Sequence, residues 1–329
     1  MENIFGFEGT YTEAVKYMFN TNHILLVLLV AAFIVTLYFA LCSKTEKGKK
    51  ITKLALAVVL ISLELGRIAF RFGLDAFNGV EPNLARSLTI ISFQMCAIMT
   101  WTTAITLIVS AFKKKQGKVM QCMFNILFGG ALVGGVLTFA YPDCIHGLYP
   151  LYHFYNVQTI VVHALLIFVP LYLSKIKEFK VEIKNIWKPL VGFIGVGSIS
   201  MTASQFCGAT FAYSLRCNLL ESVGLNIPFP WHLLVVFGIV YVLTIILYVA
   251  FGIRKRHTET MEIKKTFLSK LLKFVAIVGG VLFVCLIPYL AFGSTPILNY
   301  SAFICLFPIL FTTILLIISE KPNKQKLAK

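Results

Sequence analysis

Glu64, Arg67 and Arg71 stand at relative positions 0, 3 and 7 of one apolar run, so a helix there carries all three along one face. Ionisable groups are expensive in hydrocarbon, and such a face must point at protein or a wet cavity, where it can bind a substrate, hold an anionic headgroup or relay protons. Mutual neutralisation of Glu64 and Arg67 as helix glue is the even alternative. Cys96 adds a nucleophile wherever a base or positive field favours its thiolate, and His163 is a candidate for that base. Taken singly, each has a plainer reading: buried cysteine as an inert small hydrophobe, and membrane histidine as a hydrogen-bonded core residue.

The elements that must position these residues follow from composition. The chain has 329 residues, 58% of them hydrophobic and 13% charged, about half the charged share of a soluble domain. Its charges lie in short clusters between apolar runs long enough to cross roughly 30 Å of hydrocarbon. The expected fold is an all-α polytopic membrane protein of about nine spans, near 22–43, 53–73, 87–112, 119–140, 157–174, 189–213, 231–253, 268–292 and 299–319. Residues 1–21 precede the first span, 22–253 form a seven-helix core, 254–319 a basic loop with two further helices, and 320–329 a basic tail. The first span lacks a basic leader and is expected to stay in the mature chain.

The net charge of +16 sorts by loop. Most basic residues fall in the alternate loops around 44–53, 113–118, 175–188, 254–273 and 321–329, which places the N-terminus outside and the C-terminus in the cytoplasm of a plasma membrane. No aromatics are interleaved with these lysines as a nucleic-acid surface needs, so the expected partners are the membrane and its lipids, with no nucleic acid. Of eight cysteines, only Cys144 and Cys217 fall in outside loops where a bridge is allowed. Asp143, Cys144, His146 and His153 are metal-ligand types, but their spacing matches no zinc pattern, and no metal or other cofactor is expected. HExxH, GxSxG, phosphate-loop and dinucleotide fingerprints are absent.

Counting at 1.5 Å per residue from the span ends puts Arg67, Gln94, Cys96, His163 and Cys207 at one depth, roughly 9–14 Å in, with Arg71, His23 and His232 above. Gly130 and Gly134 read as a GxxxG contact in the fourth span. Ser200, Ser204 and Cys207 share a face of the sixth, either lining a cavity or bonding between helices.

Four segments carry a family resemblance: Glu64-Leu-Gly-Arg-Ile-Ala-Phe-Arg71; Ile91-Ser-Phe-Gln-Met-Cys96; Val157-Gln-Thr-Ile-Val-Val-His163 with Pro170-Leu-Tyr-Leu173; and Gly224 to Trp231 with its Pro-Phe-Pro-Trp turn. Their order and spacing resemble bacterial YwaF-type membrane proteins and the eukaryotic transmembrane protein 164 family, over about residues 20–253. That resemblance implies lipid acyl transfer through a Cys nucleophile and a membrane His. His163 matches the family histidine. The eukaryotic Pro-Cys-His falls on Ser92, Phe93 and Gln94, which lack the thiol, whereas Cys96 matches the bacterial cysteine.

The expected function is therefore a phospholipid or lysophospholipid acyltransferase or acyl hydrolase, with Cys96 as nucleophile, His163 as base, and Glu64, Arg67, Arg71, Gln94, Cys207 and His232 around the substrate. The alternatives are a transporter or lipid-binding protein whose polar layer binds substrate or protons, and a non-catalytic scaffold.

Overall fold

A computed structural model describes residues 21–41, 45–113, 116–141, 145, 153–209, 211, 225–228 and 231–256, and every regular element among them is helical. Five stretches are long and apolar enough to cross a membrane: His23–Ala40, Met95–Phe112, Lys118–Ala140, Phe154–Lys175 and Ile183–Ser204. The protein is a multispan membrane protein. The spans expected at 268–292 and 299–319, and Asp143, Cys144, His146 and Cys217, lie outside the described residues.

The chain divides into two compact units, Met1–Lys180 with Lys188–Ala212, and Val181–Trp187 with Tyr213–Lys329. In the first, α1 (Thr21–Ala40) presents Leu28, Leu29 and Phe39 outward, as a lipid-facing helix must. Helix α2 (Glu46–Phe77) outruns the expected 53–73 because its ends are capped. Thr45 Oγ1 accepts from the Gly48 amide at 3.1 Å, and Glu46 complements the positive end. At the other end Gly79 takes φ +65°, letting the Val80 amide reach back to the Asp75 carbonyl at 2.9 Å.

The third expected span is where the fold departs most from the sequence reading. A single helix over 87–112 is replaced by α3 (Leu84–Ile91) and α4 (Met95–Phe112), with Ser92, Phe93 and Gln94 non-helical between them. Helix α5 (Lys118–Ile126) runs through a π-turn, Leu127–Ala131, into α6 (Leu132–Ala140). Then come α7 (Phe154–Lys175) and α8 (Trp187–Cys207). The second unit contains a short 3-10 turn, Ile183–Asn185, and α9 (Trp231–Arg256).

Helix α7 packs against α1, α2, α4 and α6, and α2 lies along α4. Leu60, Ala104, Leu107, Phe124, Phe128, Phe168 and Tyr172 are fully buried. Close approach of α6 to α7 requires Gly135: a Cβ there would stand 2.7 Å from Ile167 and 2.9 Å from the His163 carbonyl. This corrects the expected GxxxG contact, because a Cβ added at Gly130 would stand 3.1 Å from Met99 Sδ whereas one added at Gly134 would meet nothing within 4 Å.

Two ion pairs tie helix ends in this unit. Lys53 Nζ donates to Glu178 Oε1 at 2.8 Å and to the Ser110 carbonyl at 3.1 Å, while Gln121 Nε2 donates to the Glu178 carbonyl at 2.8 Å. At the opposite end of α2, Arg86 Nε donates to Asp75 Oδ2 at 2.6 Å and Arg86 Nη2 pairs with Asp75 Oδ1. Hydrogen bonding from the Arg86 guanidinium holds the Asp75 carboxyl below its ordinary range.

Candidate functional site

Ser92, the first residue of the break, has φ 64° and ψ 124°, a combination that side-chain-bearing residues rarely adopt. Such a kink inside an apolar span leaves peptide groups without helical partners, and each must be satisfied by protein. Three of the carbonyls are taken by side chains from other helices. Arg67 Nη1 donates to the Ile90 carbonyl at 3.2 Å and Nη2 to the Ile91 carbonyl at 2.9 Å, so an arginine of α2 caps the C-terminus of α3. Ser200 Oγ of α8 donates to the Phe93 carbonyl at 2.6 Å.

The same guanidinium is neutralised within its own helix. Arg67 Nη2 meets Glu64 Oε1 at 2.7 Å, and Nε lies 3.2 Å from both carboxylate oxygens. Four of its five N–H groups are thereby engaged. With Glu64 side chain 3% and Arg67 side chain 12% exposed, the pair is buried, and its fit to the break makes a bidentate fork necessary where a point charge would not suffice. The neutralising pair expected of this face is present, and its arginine also holds an irregular backbone.

Cys96 is the second residue of α4, in the first turn after the break. Its surroundings differ from those of a cysteine in mid-helix. First-turn N–H groups have no carbonyl partner within their helix, and Gln94, in the N-cap position, makes no side-chain cap. The amides of Met95, Cys96 and Ala97 are the first-turn donors of α4, so Cys96 carries its thiol in the turn where those donors emerge. Thr100 Oγ1 takes the Cys96 carbonyl at 2.8 Å. The buried π-turn of Leu127–Ala131 meets α4 at Met99, three residues further along.

His163 is buried in α7, where its Nδ1 lies 2.7 Å from the Thr159 carbonyl. A carbonyl only accepts, so Nδ1 carries the proton and Nε2 is left as the basic nitrogen. Among the described residues no hydrogen bond joins Cys96 to His163. The α7 residue beside Phe70 and Arg71 is Tyr155, whose ring lies under the Arg71 guanidinium at 5.9 Å; His163 is eight residues on, about 12 Å of helix.

The remaining candidates are spread more widely. Gln94 is half-buried at the break, its backbone N–H donating to Ser92 Oγ at 3.3 Å. Cys207 is the last residue of α8, half-buried, before Gly208 turns the chain at φ +66°. His232 is buried in the first turn of α9, in the second unit. His153 caps α7, its Nδ1 accepting from the Tyr155 amide at 3.2 Å, a structural duty for one of the metal-ligand types noted in the loop.

Sequence reasoning missed Ser92, Phe93 and the role of Ser200. The available signal was weak: a Ser and a Gln two positions apart in an apolar run, with no Gly or Pro to mark a break. Against known proteins, the model of the TMEM164 family matches residues 18–249. No curated protein and no solved structure matches the chain.

Proposed function

The chain belongs to the TMEM164 family, and from that premise we propose that it handles lipid acyl chains, with Cys96 as nucleophile and His163 as base. The observation that carries this reading is the break before α4, which turns Cys96 from a mid-span residue into a first-turn one. First-turn amides at such a break are donors for the oxyanion of a tetrahedral intermediate.

In the proposed reaction the Cys96 sulfur attacks the ester carbonyl of a phospholipid while His163 Nε2 takes the thiol proton. That proton passes to the departing lysolipid oxygen, leaving an acyl thioester that a second lysolipid hydroxyl, or water, opens. The step requires the His163 ring to come within about 3–4 Å of the sulfur once the acyl donor is bound. Arg71, which lies over the Tyr155 ring, suits the headgroup phosphate better than Arg67, which is committed to Glu64 and the α3 carbonyls. Gln94 and Cys207 complete the proposed surroundings within the first unit, and His232 belongs to the second. We assign the site to the outer leaflet of a plasma membrane, with the N-terminus outside and nine spans, on the lysine distribution of the loops.

The test is acyl exchange by the purified full chain in liposomes, following an isotope-labelled chain from phospholipid to lysophospholipid by mass spectrometry. Exchange should fall to the protein-free background in both Cys96→Ala and His163→Ala; exchange that survives in folded Cys96→Ala removes the thiol from the mechanism. A second reading draws on the discontinuous helix itself, an architecture that transporters use to bind anions or ions at half-helix ends. Flux of a headgroup-labelled lipid across the same liposomes, unchanged by Cys96→Ala, distinguishes it.

A further inference from the structure

The break is held from a second side by a clasp that begins on α8. Ser200 Oγ donates to the Phe93 carbonyl at 2.6 Å, the shortest of the three side-chain bonds to the break. The Phe93 ring packs edge-on against the Phe211 ring, centroids 5.8 Å apart. Phe211 is anchored in turn: its amide donates to Ser204 Oγ at 2.9 Å, and Ser204 Oγ donates to the Ser200 carbonyl at 2.8 Å. Ser200 and Ser204 are both fully buried. Backbone and side chain of Phe93 are therefore gripped together by α8 and by Phe211, four residues beyond its end.

We infer that Ser200 is a positioning residue for Cys96, acting through the Phe93 peptide to hold the first turn of α4 in register against the strained Ser92. Arg67 fixes the carbonyls before Ser92, and Ser200 fixes the one after it, so the two together define where α4 starts. Without the Ser200 hydroxyl the part-buried Phe93 carbonyl loses its partner, and its cheapest remedy is to swing toward the first-turn amides of α4. Those amides include that of Cys96 itself, the second residue of α4. The serine-lined face of α8 thereby serves the break, and its effect reaches the thiol with no contact between Ser200 and Cys96.

This inference deepens the proposed Cys96 chemistry and takes its functional meaning from it, yet its test needs no acyl donor. The full chain is reconstituted in liposomes, and N-ethylmaleimide labelling of Cys96 is timed by peptide mass spectrometry, with Cys122 of α5 as internal reference. Ser200→Ala is expected to slow Cys96 labelling about fivefold relative to Cys122, the equivalent of one neutral hydrogen bond. Ser200→Thr, which keeps the hydroxyl, is expected to restore the ratio. An unchanged ratio in Ser200→Ala, or a threonine variant as slow as the alanine one, overturns the inference. If Ser200→Ala does not fold, Phe211→Leu loosens the same peptide through its ring contact, and the same ratio decides. Slowed labelling alongside absent acyl exchange would leave the positioning role standing and remove the acyl-transfer reading.

Discussion

Lys53 and Arg67 stand four turns apart on α2, and each pairs with a carboxylate, partly buried for Lys53 and buried for Arg67, while donating to carbonyls near the C-terminus of a neighbouring helix. Lys53 reaches Glu178 and the Ser110 carbonyl in the last turn of α4, where a helix ends anyway and one ammonium suffices. Arg67 reaches Glu64 and the Ile90 and Ile91 carbonyls, at an end that exists only because the span is interrupted. Each region also holds a non-glycine residue at positive φ, Lys177 at 63° beside the first pair and Ser92 at 64° beside the second. One device thus closes the bundle at one end and opens a span at the other. The second use needs more donors, and it leaves Cys96 in the adjacent turn.

The largest effect that can break this comparison is expected from Arg67→Met, which strands the Glu64 carboxylate and two peptide carbonyls together. Loss of one partner of a buried pair costs about 3–5 kcal/mol, and thermal unfolding in detergent should show it. Replacing both members, as Glu64→Leu with Arg67→Met, should recover part of that loss; a double variant no more stable than the single would show that the bare carboxylate is not the cause.

Lys53→Met should cost less, about 1.5–3 kcal/mol, because the Glu178 side chain is 13% exposed and water can reach it. Equal losses in Lys53→Met and Arg67→Met would erase the distinction drawn here. Ser92→Gly should stabilise by about 1 kcal/mol or more by relieving backbone strain, and Lys177→Gly by less, since its turn carries the reciprocal bonds of a helix end, Glu178 amide to Leu173 carbonyl at 3.0 Å. The ranking of the two glycine variants in one unfolding series tests this.

The smallest effect belongs to the more exposed pair, Asp75 with Arg86, whose arginine side chain is 35% exposed. The folded carboxyl sits below its ordinary range, so its stabilisation is complete above the unfolded carboxylate pKa of about 4 and disappears as pH falls through the lower folded value. The stability difference between wild type and Asp75→Asn should close on acidification and stay flat from neutral pH down to about 5. A difference that widens in acid would reverse the assigned sign.

The helices were readable as hydropathic runs, and the spans containing α1, α2, α7 and α9 begin or end within a few residues of expectation, apart from the capped extension of α2. Glu64 and Arg67 were readable as a pair because a three-residue offset puts them on one helix face whatever surrounds them. The break was not. Ile91, Phe93 and Met95 are as apolar as their neighbours, and nothing at 92–94 is intrinsically helix-breaking.

Run length and residue type alone dictated a helical membrane protein with charged residues confined to loops and one polar face, because hydrocarbon leaves the backbone no other way to satisfy itself. Where the third span breaks came only from folding. A kink at Ser92 becomes tolerable when Arg67 from one helix and Ser200 from another arrive together to take the carbonyls it releases, and that meeting depends on three-dimensional packing across 133 residues of chain separation, which no local pattern encodes.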